Sequence, residues 1–327
     1  MKILAADISA DHAELILLRI AINGHRESLF KKRYDPATFT EPRRLFEQFL
    51  HDADAKSALI GRLCVSIATP VENNTSTLGG LDWTFDAKQL GQQFYINDVS
   101  IISDFESATR GIDVAAPEGM HTLNEGVKTE QGIRVVTGAG HGLGLAWMDH
   151  RQNAFDKNES NGGMVNFAPI DKEQIDLLEY LMKRFNHVSY ERILSNEGLT
   201  ELYRYCKQKD QSSESSNGLK GVESSTVSEI IEAAESDPAA ERAITLFVTT
   251  YGAYVGNLAL LYQPMGGIYV GGQVATDLQY WMQSEHFLNA CLKKGRMSNI
   301  VKQTPIYLVT DSEINLQGAI ETATHHH

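Results

Sequence analysis

The sequence predicts an α/β chain of two domains, each a mixed sheet of βββαβαβα type, with a cleft between them. Three observations carry that expectation. The chain has 327 residues, above the size at which one hydrophobic core stops growing, so two cores are expected. Short apolar runs open it as an antiparallel hairpin and then alternate with segments of helical period, the order that a mixed sheet with right-handed crossovers requires. Near Gly111 the pattern restarts, and Ile133 to Asp149 repeats the strand, turn, strand order of residues 3 to 20 without repeating its sequence. The expected division is 1–110 with 303–324 in a smaller domain and 111–302 in a larger one, with 325–327, three histidines, as the stub of an expression tag.

In order, Met1 to Ile8 is a short apolar strand, Ser9 to His12 a polar turn, and Ala13 to Ile20 a returning strand. Lys31 to Tyr34 ends a third strand. Thr40 to Phe49 has helical period, with Pro42 near the first turn and Leu45, Phe46 and Phe49 on one face. Leu59 to Ala68 is a strand closing at Pro70, Asp86 to Phe94 a helix, and Ser100 to Ile102 a strand that runs into Ser103 and Asp104. After the restart, Lys172 to Phe185, Tyr190 to Leu194 and Leu199 to Lys207 read as helices, and a long helix from Val227 breaks near Pro238 and resumes to Tyr262. Gln208 to Ser225, rich in Ser, Gly, Asn and Lys, reads as a solvated, mobile loop. Gly266 to Gly272 is a strand bracketed by glycine pairs, Pro305 to Val309 is a late strand, and a helix follows from Asn315.

Composition narrows the function classes. With 42% hydrophobic and 22% charged residues and no long charge-free apolar run, the chain reads as a soluble globular protein without a membrane partner. Its opening strand leaves no place for a signal peptide, so the cytoplasm is the expected compartment. A net charge of −13 with no basic stripe argues against nucleic acid, whose phosphates need Lys and Arg to release their counterions. Cys64, Cys206 and Cys291 are odd in number and far apart, which suggests reduced thiols rather than a disulfide framework or a zinc site.

Several stretches are able to carry chemistry, each with a plain alternative. Asp104 follows the apolar run from Val99 and precedes a polar run that starts a helix, so it should project from a strand's carboxyl end, where open α/β sheets bind ligands. An Asp there also serves as a helix N-cap. Gly138-Ala-Gly140-His141-Gly142-Leu-Gly144 puts four glycines between two strands, as an anion cradle with positive φ or as a tight hairpin. Gly271 and Gly272 end a strand, either as a turn or to let a flat ligand approach. Asn161 to Met164 reads as a loop, and Glu191 as a first-turn carboxylate favoured by a helix dipole.

Taken together and in this order, the pieces resemble the bacterial ATP-dependent glucokinase family, of the hexokinase and actin-like (ribonuclease H-like) superfold, over nearly the whole chain. Ile102-Ser-Asp104-Phe is similar to the family's strand ending in Asn-Asp-Phe, and Gly138 to Gly144 to its Gly-x-Gly-Thr-Gly-Leu-Gly. Asn161-Gly-Gly-Met164-Val-Asn-Phe-Ala-Pro169 resembles Glu-Gly-Gly-His-Val-Asp-Phe-Ala-Pro, and His187-Val-Ser-Tyr-Glu191-Arg-Ile-Leu-Ser195 resembles His-Val-Ser-x-Glu-Arg-Val-Leu-Ser. Asn257-Leu-Ala-Leu260 with Gly266 to Gly272 completes the set. The resemblance implies a cytoplasmic homodimer that moves the γ-phosphoryl of ATP, with Mg2+, to the 6-hydroxyl of glucose or a related hexose, the first step of glycolysis. It implies Asp104 as the base and Ser103, Asp104, Asn161, Met164 and Glu191 at the sugar. It implies Asp7, Ser9, Ala10, Asp11 and His12 at a first phosphate turn, with Asp7 beside the metal-bound phosphates, and Gly140, His141, Gly142 and Gly144 at a second. Gly271 and Gly272 would flank the adenosine.

The departures from the family fall on ligand positions. Where the family has Asp-x-Gly-Gly-Thr-Asn, this chain has Asp7-Ile-Ser9-Ala10-Asp11-His12, adding two Cβ atoms and an anion. At about 4 Å that anion would repel a phosphate charge by roughly 1 kcal/mol in water and about 4 at an effective dielectric near 20. At the sugar, Ser103 replaces Asn, Asn161 replaces Glu and Met164 replaces His, and each lost partner is worth roughly 1–3 kcal/mol. His141 stands where the second turn has Thr. Two readings follow: a hexose kinase, or a catalytically impaired relative that binds sugar or regulates.

Overall fold

Strand β1 (Lys2–Ile8) is buried from Ile3 onward on both faces, which fits its unbroken apolar run and makes it the centre of a sheet. The computed structural model describes residues 1–149, 158–211 and 225–325, in two units, Met1–Pro117 with Asp311–His327, and Glu118–Thr310. In the first unit β2 (Ala13–Ile20) returns antiparallel to β1, and β3 (Arg26–Tyr34) antiparallel to β2. Helix α1 (Pro42–Asp52), with Pro42 at its first position, leads to β4 (Ile60–Ile67), parallel to β1. A hairpin of β5 (Thr75–Leu78) and β6 (Trp83–Asp86) precedes α2 (Ala87–Phe94), capped by the Asp86 carboxylate on Gln89 N–H. Then β7 (Asp98–Ser103) pairs parallel with β4 and runs into α3 (Asp104–Gly111), for a sheet order β3-β2-β1-β4-β7.

Period-two alternation divides this sheet between two cores. Leu4, Ala6 and Ile8 face a cluster with Leu45, Phe46 and Phe49 of α1, Leu90 and Phe94 of α2, and Trp83 and Phe85 of the hairpin. Ile3 and Ala5 face the C-terminal helix, Ile314–His325, through Leu316, Ala319 and Ile320. That helix also meets α3 backbone to backbone, because Gly318 lets it close on the Ser107 carbonyl; Ser107 Oγ donates to Asn315 O at 2.6 Å.

The second unit repeats the strand order. β8 (Met120–Asn124) is an added edge strand; β9 (Arg134–Ala139), β10 (Leu143–Met148) and β11 (Asn158–Ser160) form an antiparallel meander. Helices α4 (Lys172–Met182), α5 (Asn196–Gln211), α6 (Val227–Ala233) and α7 (Pro238–Tyr262) follow, and β12 (Gly267–Gly271) pairs parallel with β9. Helices α8 (Gln273–Asp277), α9 (Gln279–Met282), α10 (Glu285–Leu292) and α11 (Ser298–Gln303) lead to β13 (Ile306–Val309), parallel to β12, giving β11-β10-β9-β12-β13-β8. Helix α7 is long and apolar enough to cross a membrane by length and composition, yet most of it lies inside the core, with Ala243, Phe247, Tyr251 and Val255 fully buried. A helix hydrophobic on most sides is what such a position demands.

The structure corrects the sequence expectations at several points. The glycine-rich turn is shorter than Gly138 to Gly144: Gly138 and Gly144 pair with each other inside β9 and β10, leaving a three-residue loop at 140–142. Nor does that loop use positive φ, since none of its glycines adopts it. Ser103, not Asp104, is the N-cap of α3, accepting Glu106 N–H at 3.0 Å, and Asp104 is the first helical residue. Tyr190 to Leu194 is a turn rather than a helix, closed by Ile193 and Leu194 N–H groups on Tyr190 O. The second unit extends to Thr310, beyond the expected boundary at 302, because β13 pairs with β12 and β8. Of the expected loop from Gln208 to Ser225, residues 208–211 complete α5 and 212–224 lie outside the described residues. His325 belongs to the C-terminal helix, while 326 and 327 lie outside the described residues.

Candidate active site

In the first unit two candidate groups stand at the carboxyl edge of the parallel strands. Asp7 is the last residue but one of β1 and Asp104 follows β7, and with β4 between them the strands are two spacings apart, about 10 Å. Asp7 is buried, and His12 Nε2 donates to its Oδ2 at 3.3 Å. The other imidazole nitrogen, Nδ1, lies 2.8 Å from Ser9 Oγ. Ser9 Oγ also accepts the N–H groups of Asp11 at 3.2 Å and His12 at 3.1 Å. Ala10 is braced from outside by Gly80 at the tip of the β5-β6 hairpin, where a Cβ would stand 3.2 Å from the Ala10 Cβ. Asp11 is exposed. Ser103 is buried by its capping role, and Asp104 is half-exposed, its Oδ1 accepting Phe105 N–H at 2.8 Å.

In the second unit the fold brings together residues that are far apart in sequence. Gly271 pairs with Gly138 across β12 and β9, and Gly272, at φ 86°, packs on the Ala139 backbone where a Cβ would run into the carbonyl oxygen. The 140–142 loop that follows β9 leaves open space beside Gly140, and His141 is exposed. Gly140 O accepts Asn196 N–H at 2.8 Å, which docks the start of α5 on the loop. The Glu191 carboxylate accepts Leu143 N–H at 3.0 Å and lies so close to Gly142 that a Cβ there would stand 2.8 Å from Oε2.

The turn at Gly162–Met164 is stitched to the same place. Glu191 N–H donates to Gly163 O at 2.9 Å, and Gly163 sits against the Leu143 carbonyl with no room for a side chain. Asn161 and Met164 are exposed at this turn. Behind Glu191, the buried Tyr190 hydroxyl accepts Asn257 Nδ2 at 2.9 Å, and Lys294 Nζ donates to Asn257 Oδ1 at 2.7 Å and Ala253 O at 2.9 Å. Burial pushes the Tyr190 hydroxyl pKa up and holds the Lys294 ammonium below its usual range. The expected glycines and Glu191 thus meet at one end of one sheet, the carboxyl end of β9 and β12, where open α/β sheets take ligands.

A family model described as Glucokinase matches residues 4–326. The chain belongs to the glucokinase family. The glucokinase of Nostoc sp. (strain PCC 7120) is 29% identical over 97% of each chain, and that of Chromohalobacter salexigens 31% identical over 79% of each. Among solved structures, a glucokinase from an Antarctic psychrotroph superimposes with a TM-score of 0.86 at 24% identity over 98% of both chains. A ROK family glucokinase from Streptomyces griseus, in complex with glucose and AMPPNP, does so at 0.59 and 16% identity over 99% of both. These likenesses show the fold, the actin-like sugar-kinase fold that the doubled strand order describes.

Against that frame of the glucokinase family, sequence reasoning missed the contributors that act through their backbone. Leu143, Ala139 and Gly163 set the positions of Glu191, Gly272 and the Met164 turn, and no side-chain chemistry marks them. Ser66 was missed too: it pairs with Asp7 in register on β4, and its buried Oγ has no hydrogen-bond partner.

Proposed function

We propose that this chain is an ATP-dependent hexose kinase that transfers the γ-phosphoryl group to the 6-hydroxyl of glucose or a related hexose. The observation that carries the reading is the meeting of Gly140, Gly142, Gly271, Gly272 and Glu191 at one sheet end of the second unit. Phosphoryl transfer asks a protein chiefly to position groups and stabilise charge, so a few placed residues suffice. Asp104 takes the proton from the attacking hydroxyl. Glu191, with Oε2 fixed on Leu143 N–H, accepts from sugar hydroxyls, and Ser103, Asn161 and Met164 line the sugar. The 140–142 loop meets the phosphates with its amides, and Gly271 and Gly272 lie along the adenosine.

The described residues contain no cluster of three or more His, Cys, Asp or Glu able to cage a metal. Mg2+ binds through one or two carboxylates together with substrate phosphates and water. Asp7 is the carboxylate that would serve it. When bound, Mg2+ neutralises the phosphate charge. A cytoplasmic homodimer, working at the first step of glycolysis, goes with this reading.

One observation favours the second reading, a catalytically impaired relative that binds sugar or regulates: the Asp11 and His12 amides of the first turn are already hydrogen-bonded to Ser9 Oγ. ATP consumption with Mg2+ and a panel of hexoses, beside an Asp104→Ala control, separates the two. Turnover with one hexose that drops in the control supports the kinase, and identical rates for both proteins with every sugar would sink it. Calorimetry with glucose and ATP separately then identifies a sugar sensor by heat from the sugar alone.

A further inference from the structure

Two backbone N–H groups, those of Asp11 and His12, converge on a single oxygen just past the carboxyl end of β1. Successive amides aimed at one point form an anion nest, and here the point is held by the chain's own Ser9 hydroxyl. A hydroxyl has one proton and two lone pairs. The two amides use both lone pairs. His12 Nε2 donates to the Asp7 carboxylate, and with both Ser9 lone pairs taken by the amides, the 2.8 Å contact to His12 Nδ1 is the one the Ser9 hydroxyl makes as donor. That 2.8 Å contact is the shorter of the two open to the proton, the other being His12 O at 3.4 Å. Ser9 is therefore saturated, and so are the amides.

We propose that Ser9 and His12 form a latch that occupies the first phosphate turn from within and sets the nucleotide affinity of this chain. The inference rests on the kinase reading for the identity of the turn. An incoming phosphate oxygen takes the two amides by displacing the Ser9 oxygen, and the Ser9 hydroxyl keeps its own proton, donating it either to His12 Nδ1 as before or to the phosphate. His12 is a positioning residue: it holds the hydroxyl inward and ties it to Asp7. Gly80 against Ala10 closes the side of the turn toward the β5-β6 hairpin, so the hydroxyl leaves by rotation of its own side chain rather than by movement of the loop that way.

The test is calorimetric titration of Mg-ATP and of Mg-ADP into the wild type, Ser9→Ala and Ser9→Gly, with thermal melts to establish folding and hexose turnover measured in parallel. Replacing the neutral hydroxyl frees two amides for a charged oxygen, so both variants should bind nucleotide roughly 5- to 30-fold more tightly than the wild type. Equal or weaker binding by Ser9→Ala overturns the latch. So does tighter binding by Ser9→Gly alone, which would make the Cβ and not the hydroxyl the obstacle. Should Ser9→Gly melt early, Ser9→Ala decides by itself, and His12→Ala, which loosens the hydroxyl without removing it, should tighten binding by a smaller factor. Turnover with unchanged nucleotide binding in Ser9→Ala removes the latch and leaves the kinase reading standing. Tighter binding with no turnover in any protein does the reverse.

Discussion

The Glu191 carboxylate accepts the backbone N–H of Leu143 at 3.0 Å, joining a turn before α5 to the first residue of β10. One oxygen of the carboxylate is thereby fixed, and in the proposed kinase the carboxylate also accepts from sugar hydroxyls. Glu191→Gln keeps an oxygen for Leu143 and should melt within about 0.5 kcal/mol of the wild type, whereas Glu191→Ala orphans that amide and should lose about 1–3 kcal/mol. Both variants should raise the KM for hexose, by roughly 10- to 100-fold for the alanine. Denaturant melts with hexose titrations check this; an alanine variant of unchanged stability and KM would remove Glu191 from the site.

Gly272 and Gly295 both have positive φ, 86° and 55°, but differ in their surroundings. A Cβ at Gly272 meets the Ala139 backbone, while one at Gly295 meets nothing within 4 Å. Gly295→Ala should therefore cost only the left-handed backbone, about 1 kcal/mol. Gly272→Ala adds overlap with β9 and should cost at least about 2–3 kcal/mol while weakening nucleotide binding. Parallel urea melts distinguish the two, and equal losses would show that the close approach at β9 has no energetic weight.

Cys64, Cys206 and Cys291 are all buried, and burial pushes the thiols of Cys206 and Cys291 up to about 11 and about 12. Folding therefore favours the neutral thiol. The contribution is fully present below the ordinary thiol value near 9 and is lost as pH rises through the folded values. At pH 8 a disulfide reagent should label none of the three within minutes in the native protein and all three in denaturant. Stability should fall above pH 9, less steeply in Cys291→Ala than in the wild type.

Much of the first unit could be read from the chain, because β1, β2 and α1 carry unbroken or periodic apolar patterns. The β5-β6 hairpin could not: its strands have four residues each, too short for a period, and its packing comes from Trp83 and Phe85 meeting α1 and α2 across the fold. Helices α8 to α11 are also short and hold through burial of Val274, Met282, Phe287 and Val301 rather than by propensity. In the candidate site, motif spacing gave Glu191 and the glycines as residues. It gave neither the Ser9 hydroxyl turned inward nor Glu191 resting on an amide 48 positions away, since both depend on side-chain direction and long-range register.

Ser103 and Asp104 are neighbours with separable tasks. Ser103 Oγ caps α3 on Glu106 N–H and is buried, whereas Asp104 occupies the first helical position and is half-exposed. Removing the cap in Ser103→Ala should cost about 1 kcal/mol of stability, and any change in kcat should be small beside that of the base. Asp104→Ala loses a first-turn carboxylate that favours the helix dipole, worth about 0.3–1 kcal/mol, so it should fold nearly as well as the wild type. As the proposed base, however, it should lower kcat by roughly 10²- to 10⁴-fold with hexose affinity changed far less. Melting curves and steady-state kinetics on the two variants give a crossed result if both roles are as assigned; an Asp104→Ala protein that is unstable yet retains kcat would exchange them.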